Sequence, residues 1–172
     1  METSSAEIAL DDVGTVSLRA VAAGDEEFLL AVYASTRAEE LAQVAWGAGQ
    51  KEAFLRMQFA AQQQEYQARY PDAEYDVILC NGEPVGRIWI GRDAAQIRLL
   101  DIALLPAAQN RGIGTALLRR LIAEARQTGK KLRHMVFVLN PDAHRFYERL
   151  GFRVIEDLGA YKHMEWQAAD SN

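Results

Sequence analysis

The sequence has one cysteine, Cys80, in 172 residues. An internal disulfide framework is therefore excluded, and a reducing compartment, the cytoplasm, is the expected setting. No apolar run approaches the length of a membrane span, and no signal-peptide pattern opens the chain, so no membrane partner is expected. The three histidines, His134, His144 and His163, are scattered without metal-ligand spacing, so no metal is expected. No internal repeat or low-complexity segment is present. Two common phosphate signatures are also missing. The Walker pattern needs a Lys-Ser/Thr pair after its last glycine, and the dinucleotide fingerprint needs a third glycine where Leu117 stands.

Apolar residues make up 49% of the chain, enough for a globular domain with its own core. The expected organisation is a flexible arm over 1–15, a single domain over 16–167 and a polar tail over 168–172. Net charge is −5, but it is uneven. Residues 1–76 hold fourteen acidic against five basic residues, and residues 77–172 hold ten against fourteen. A polyanionic ligand would prefer the second part and an amine the first, although chance surface composition gives the same pattern. Overall acidity, with no aromatic stripe beside the basic residues, speaks against nucleic acid.

Hydrophobic spacing divides the chain into elements. Val16–Val21 alternates as a strand, and Asp25 is placed to cap a helix carrying Phe28, Leu29, Val32 and Tyr33. Residues 38–49 are ambiguous, because Leu41, Val44 and Ala45 have helical spacing but Gly47 and Gly49 break it. A long helix over 50–70 follows, with Phe54, Leu55, Met57, Phe59, Ala61 and Tyr66 wrapping much of its girth. Strands over 75–80 and 85–90 flank Asn81-Gly82, a strong hairpin signal. Gln96–Leu105 is a strand. Ile113, Leu117, Leu118, Leu121, Ile122 and Ala125 then share one face of a helix running to Thr128. Leu132–Leu139 is a strand, Asn140-Pro141 opens a short helix to Leu150, and strands over 152–158 and 160–166 close as a hairpin.

The stretch Gln109-Asn110-Arg111-Gly112-Ile113-Gly114-Thr115 sits where strand hands over to helix. The first amides of a helix have no partner within it and point outward at the positive dipole end. Glycines allow close approach to that backbone, so the stretch is a candidate anion site suited to a diphosphate. A tight turn with nothing bound is the alternative. The pattern Gln-x-x-Gly-x-Gly resembles the acetyl-coenzyme A loop of the GNAT superfamily of N-acetyltransferases. A second stretch, from Asn140 through Tyr147 to Gly151-Phe152, resembles that family's other signature. The resemblance is sharp from Leu99 to Phe152. It implies an α/β (α+β) fold with a mixed, mostly antiparallel sheet of about seven strands, splayed in the middle, and about four helices. Runs of strands without intervening helices independently argue against a doubly wound sheet.

The same resemblance implies roles residue by residue. Gln109, Asn110, Arg111, Gly112, Ile113, Gly114 and Thr115 would hold the diphosphate of acetyl-coenzyme A. Backbone groups of Ile102, Ala103 and Leu104 would hold its amide arm as an added strand, with an N–H near Leu104 facing the acetyl oxygen. Tyr147 would be the general acid for the departing thiolate. Asn140 caps its helix and would also contact the cofactor. Many relatives place a glutamate base on one of the two central strands, and Leu132–Leu139 contains none. Asp101, alone in the apolar run Leu99–Leu104, is the candidate base. A carboxylate there equally suits a structural ion pair.

The basic residues Arg119, Arg120, Arg126, Lys130, Lys131 and Arg133 read as a solvated face or as contacts to the cofactor's 3′-phosphate. Trp46, Gln50, Gln62, Gln63, Gln64, Tyr66 and Tyr75 are acceptor-side candidates by type. The expected function is acetyl-coenzyme A-dependent N-acetyl transfer, directly to a primary amine of a small molecule or peptide. A non-catalytic acyl-coenzyme A-binding regulatory module and a longer acyl donor stand as alternatives. A homodimer through a sheet edge or an early helix is left open.

Overall fold

The computed structural model describes residues 7–168. The first six residues of the expected arm, and all of the expected tail but Ala168, lie outside the described residues. In chain order the elements are β1 (Ile8–Leu10), β2 (Gly14–Ala20), α1 (Glu26–Ala42), α2 (Ala48–Arg69), β3 (Glu74–Cys80), β4 (Glu83–Arg92) and β5 (Gln96–Leu104). There follow α3 (Ile113–Thr128), β6 (Lys131–Phe137), α4 (Pro141–Arg149), β7 (Phe152–Asp157) and β8 (Tyr161–Trp166). The fold is the expected mixed one, with four α-helices among the described residues. The described residues hold eight strands rather than about seven, because Ile8–Leu10, inside the expected arm, pairs with Gly14–Val16 as β1.

Packing groups the described residues into two compact units, those up to 89 with 101–114, and 90–100 with those from 115 onward. In the first, β1, β2 and β3 run antiparallel, with Val16 opposite Cys80 and Ala20 opposite Asp76. The Asn81-Gly82 turn leads into β4, and both residues have positive φ (52° and 81°), as that hairpin requires. Leu29, Leu30 and Tyr33 of α1 meet Phe59 of α2, flanked by Val21, Phe28, Leu55 and Tyr75. The ambiguous segment resolves into the end of α1, a break at 43–47, and the start of α2, whose first turn contains Gly49. Gly47 precedes that turn, and its N–H donates to Gln50 Oε1 at 3.1 Å. Of the apolar residues spread around α2, Phe59 is buried, Phe54, Leu55 and Tyr66 are half-buried, and Met57 is 63% exposed.

Asp25 does precede α1, but its side chain does not cap it. It turns back to accept two 2.7 Å bonds from Arg19 and one of 2.8 Å from the Ala22 amide. A charged fork outcompetes neutral amides for the carboxylate.

In the second unit, β5 and β6 run parallel over four pairs only, from Gln96↔Lys131 to Leu99↔His134. β8 lies antiparallel between β6 and β7, with a bulge in β7 between Val154 and Glu156. The α3 stripe expected from its spacing is buried throughout: Ile113, Leu117, Leu118, Leu121, Ile122 and Ala125 are each at most 7% exposed. No helix among the described residues is long and apolar enough to cross a membrane.

Candidate active site

The first unit carries the glycine stretch. β5 ends at Leu104, the Leu105 amide donates to the Val85 carbonyl at 2.8 Å, and Pro106–Ala108 form one tight 3₁₀ turn on buried Ala108. Gln109 Nε2 donates back to the Leu104 carbonyl at 3.0 Å, so this side chain braces the loop. Asn110 (φ 60°) and Gly112 (φ 87°) then reverse the chain into α3. A Cβ built on Gly112 would meet no atom within 4 Å. Packing therefore leaves the space over this backbone open, while its conformation favours glycine. No acidic residue stands in the first turn of α3, so nothing in the helix offsets its positive end. Arg111 is exposed beside it. Open space, free helical amides and a cation fit a diphosphate.

Asp101, in the same unit, has a partner. Its Oδ2 lies 2.7 Å from Nε of Arg87, which is 1% exposed, while the Asp101 side chain is 23% exposed. The N–H is poorly aligned with that oxygen, so the contact is an ion pair rather than a well-formed hydrogen bond. Arg87 also donates to Tyr75 Oη (3.3 Å) and Gln62 Oε1 (2.8 Å), and lies over the rings of Tyr33 and Phe59 at 5.7 and 5.9 Å. Burial opposes its charge, but Asp101 and Tyr75 more than compensate, and its pKa rises. Burial also raises the Tyr75 phenol, keeping it protonated; its ring stacks on Trp89 at 3.9 Å.

Two acceptor-side candidates, Gln62 and Tyr75, therefore meet around Arg87. Others do not: Gln64 is exposed, Gln50 bonds the Gly47 amide, and Trp46 packs edge-on against Phe54 at 43% exposure. A groove of about 360 Å³ between α1 and α2 is lined by Leu30, Phe59, Gln63 and Gln64. Motif reasoning does not find Arg87. Its signal is a charge inside the apolar run Val85–Ile90, matching Asp101 inside the run Leu99–Leu104.

In the second unit Asn140 Oδ1 accepts from the Ala143 amide at 3.1 Å, capping α4 as expected. Tyr147, two turns along α4, is 4% exposed, its ring against His134 (4.7 Å), Phe146 (5.1 Å) and Phe152 (5.3 Å). His134 Nδ1 lies 2.8 Å from the Leu99 carbonyl, His144 Nε2 lies 2.8 Å from Glu148, and His163 is pushed toward neutrality by burial and by Arg98 and Arg133. Among the described residues no group of histidines, cysteines and carboxylates could hold a metal. Of the basic face, Lys131 and Arg133 pair with Glu165, and Arg126 lies over Trp166.

The family model described as acetyltransferase (GNAT) family matches residues 36–152. An uncharacterized N-acetyltransferase of Methanocaldococcus jannaschii is 36% identical over 94 residues, 49% of this chain and 41% of that protein. An aminoalkylphosphonate N-acetyltransferase of Salmonella typhimurium is 33% identical over 96 residues, 48% of this chain and 58% of that protein. The chain thus spans about half the length of the curated relatives it matches. Among solved structures, a PaiA N-acetyltransferase of Thermoplasma acidophilum in complex with coenzyme A superposes with a TM-score of 0.66 at 21% identity, covering 89% of this chain and 99% of that one. A GNAT family acetyltransferase of Elizabethkingia anophelis with acetyl-coenzyme A bound gives 0.57 at 17% identity, covering 89% and 98%. At such identities these structures share the fold.

Proposed function

The chain belongs to the acetyltransferase (GNAT) family, and from that premise we propose that it transfers an acetyl group from acetyl-coenzyme A directly to a primary amine of a small molecule or peptide. The observation that carries the reading is the open backbone at Gly112, leading into helical amides with no acidic residue beside them. The cosubstrate supplies an activated thioester. Every other task falls to residues of this chain.

Amides over residues 110–115 bind the diphosphate, and Arg111 adds charge to that contact. Gln109 holds the loop in shape through the Leu104 carbonyl. Backbone groups of Ile102, Ala103 and Leu104 hold the amide arm, and an N–H near Leu104 stabilises the developing oxyanion. Tyr147 gives its proton to the departing thiolate, which is not strongly basic, so a phenol suffices. Asp101 takes the acceptor's proton directly or through a water. Arg87 fixes where that carboxylate stands. Asn140 fixes the start of the helix that carries Tyr147. The lone, buried, unpaired Cys80 suits a reducing compartment, and we place the protein in the cytoplasm.

The test is a broad panel of primary amines with thiol release as readout. At least one amine is expected to release coenzyme A from acetyl-coenzyme A. Cofactor binding without release from any amine would favour a non-catalytic module. Faster release from a longer acyl donor would reassign the donor.

A further inference from the structure

The second unit carries a cleft that acyl transfer leaves unused. Its volume is about 640 Å³, within the range of small-molecule sites. Arg126 from the end of α3, Arg149 from the end of α4 and Arg153 from β7 line it, with buried Phe152 and half-buried Trp166. None of the three arginines is ion-paired among the described residues. Glu148 is the one acidic side chain of the lining, and His144 already engages it at 2.8 Å.

The donors are arranged rather than scattered. The Arg126 guanidinium lies over the Trp166 indole at 5.1 Å, which uses its face and leaves its N–H edges for a ligand. Gly151, at φ 101°, keeps the indole edge uncovered, since a Cβ there would lie 3.2 Å from Trp166 Nε1. Guanidinium and indole N–H groups only donate. The complementary group is therefore an anion, and three forks without an ion-pair partner among the described residues suit a dianion better than a single charge. The site is distinct from the glycine loop, because Arg126 lies roughly 16 Å along α3 from Thr115 by helix rise.

We infer that this cleft binds an organic phosphate, its head held by Arg126, Arg149 and Arg153 and its planar apolar body against Trp166. The test is calorimetric titration of the full chain with adenosine 5′-monophosphate in saturating coenzyme A, which occupies the glycine loop. Adenosine and inorganic phosphate serve as the half-ligands. The nucleotide is expected to bind at least about tenfold more tightly than either half. The exposed double variant Arg149→Glu/Arg153→Glu, its fold checked by circular dichroism, should bind the nucleotide at least about tenfold more weakly, the loss of one charged hydrogen bond. Arg126→Lys, which keeps charge but loses the fork, should fall between. No binding, binding abolished by coenzyme A, or unchanged affinity in the double variant would overturn the inference.

Discussion

Arg87 Nε stands 2.7 Å from Asp101 Oδ2, pairing the one cation of the apolar run Val85–Ile90 with the one anion of β5. Arg87 is buried on every side, by Tyr75, Gln62 and the rings of Tyr33 and Phe59. Removing Asp101's charge therefore strands a buried cation. Asp101→Asn should lower stability by about 2 kcal/mol, less than for a fully buried pair because the carboxylate is partly exposed. Adding Arg87→Met should recover most of that loss. Urea unfolding of the single and double variants measures both.

Acid should act through Asp25. Arg19 and the Ala22 amide hold its carboxyl down at about 2, below the ordinary carboxylate range. A depressed folded-state value stabilises the fold above about pH 4, the unfolded value, and that contribution fades as pH falls toward 2. Asp25→Ala should cost about 1 kcal/mol at neutral pH and progressively less as pH falls through 2. Thermal melts across that range should show the two curves converging. A constant gap would show that the carboxylate's charge is not the cause.

Two glycines should respond differently to alanine. A Cβ on Gly86 would lie 2.3 Å from the Ala103 carbonyl oxygen, whereas one on Gly112 meets open space. Gly86→Ala should destabilise by about 2 kcal/mol or more through overpacking. Gly112→Ala should cost only about 1 kcal/mol in backbone strain. Its larger effect should be on acetyl-coenzyme A affinity, expected to fall at least about tenfold. Melts and calorimetry separate the two effects.

Elements set by local chemistry are legible in the sequence itself. The α3 stripe, the Asn81-Gly82 turn and the Asn140-Pro141 helix start each follow from neighbouring residues alone. The misses involve competition or distance. Asp25 reads as a cap until a fork from Arg19, six residues back, claims it. β1 escapes notice because three residues carry little pattern and gain order only by pairing with β2. Met57 has an apolar side chain but, at 63% exposure, no partner to bury it. Asp101 reads equally as a base or an ion-pair member. Sequence spacing does not name its partner, because Arg87 is its neighbour only in the folded sheet.

Tyr147→Phe tests the assigned proton donor. General acid catalysis supplies about 10²-fold or more, so kcat with any accepted amine should fall by roughly that factor. Affinity for acetyl-coenzyme A should stay within about twofold, because the phenol is assigned no part in holding the cosubstrate. Steady-state kinetics paired with calorimetry reads both. Full activity in the variant would move the acid elsewhere.

In the proposed reaction, coenzyme A is held by backbone amides between residues 110 and 115 gripping its diphosphate. Amide chemical-shift mapping during titration with coenzyme A tests it directly. The largest shifts should fall on Arg111, Gly112, Ile113, Gly114 and Thr115, and Gly112→Ala should weaken them. Saturable binding with these amides unmoved, or no binding at millimolar coenzyme A, would contradict it.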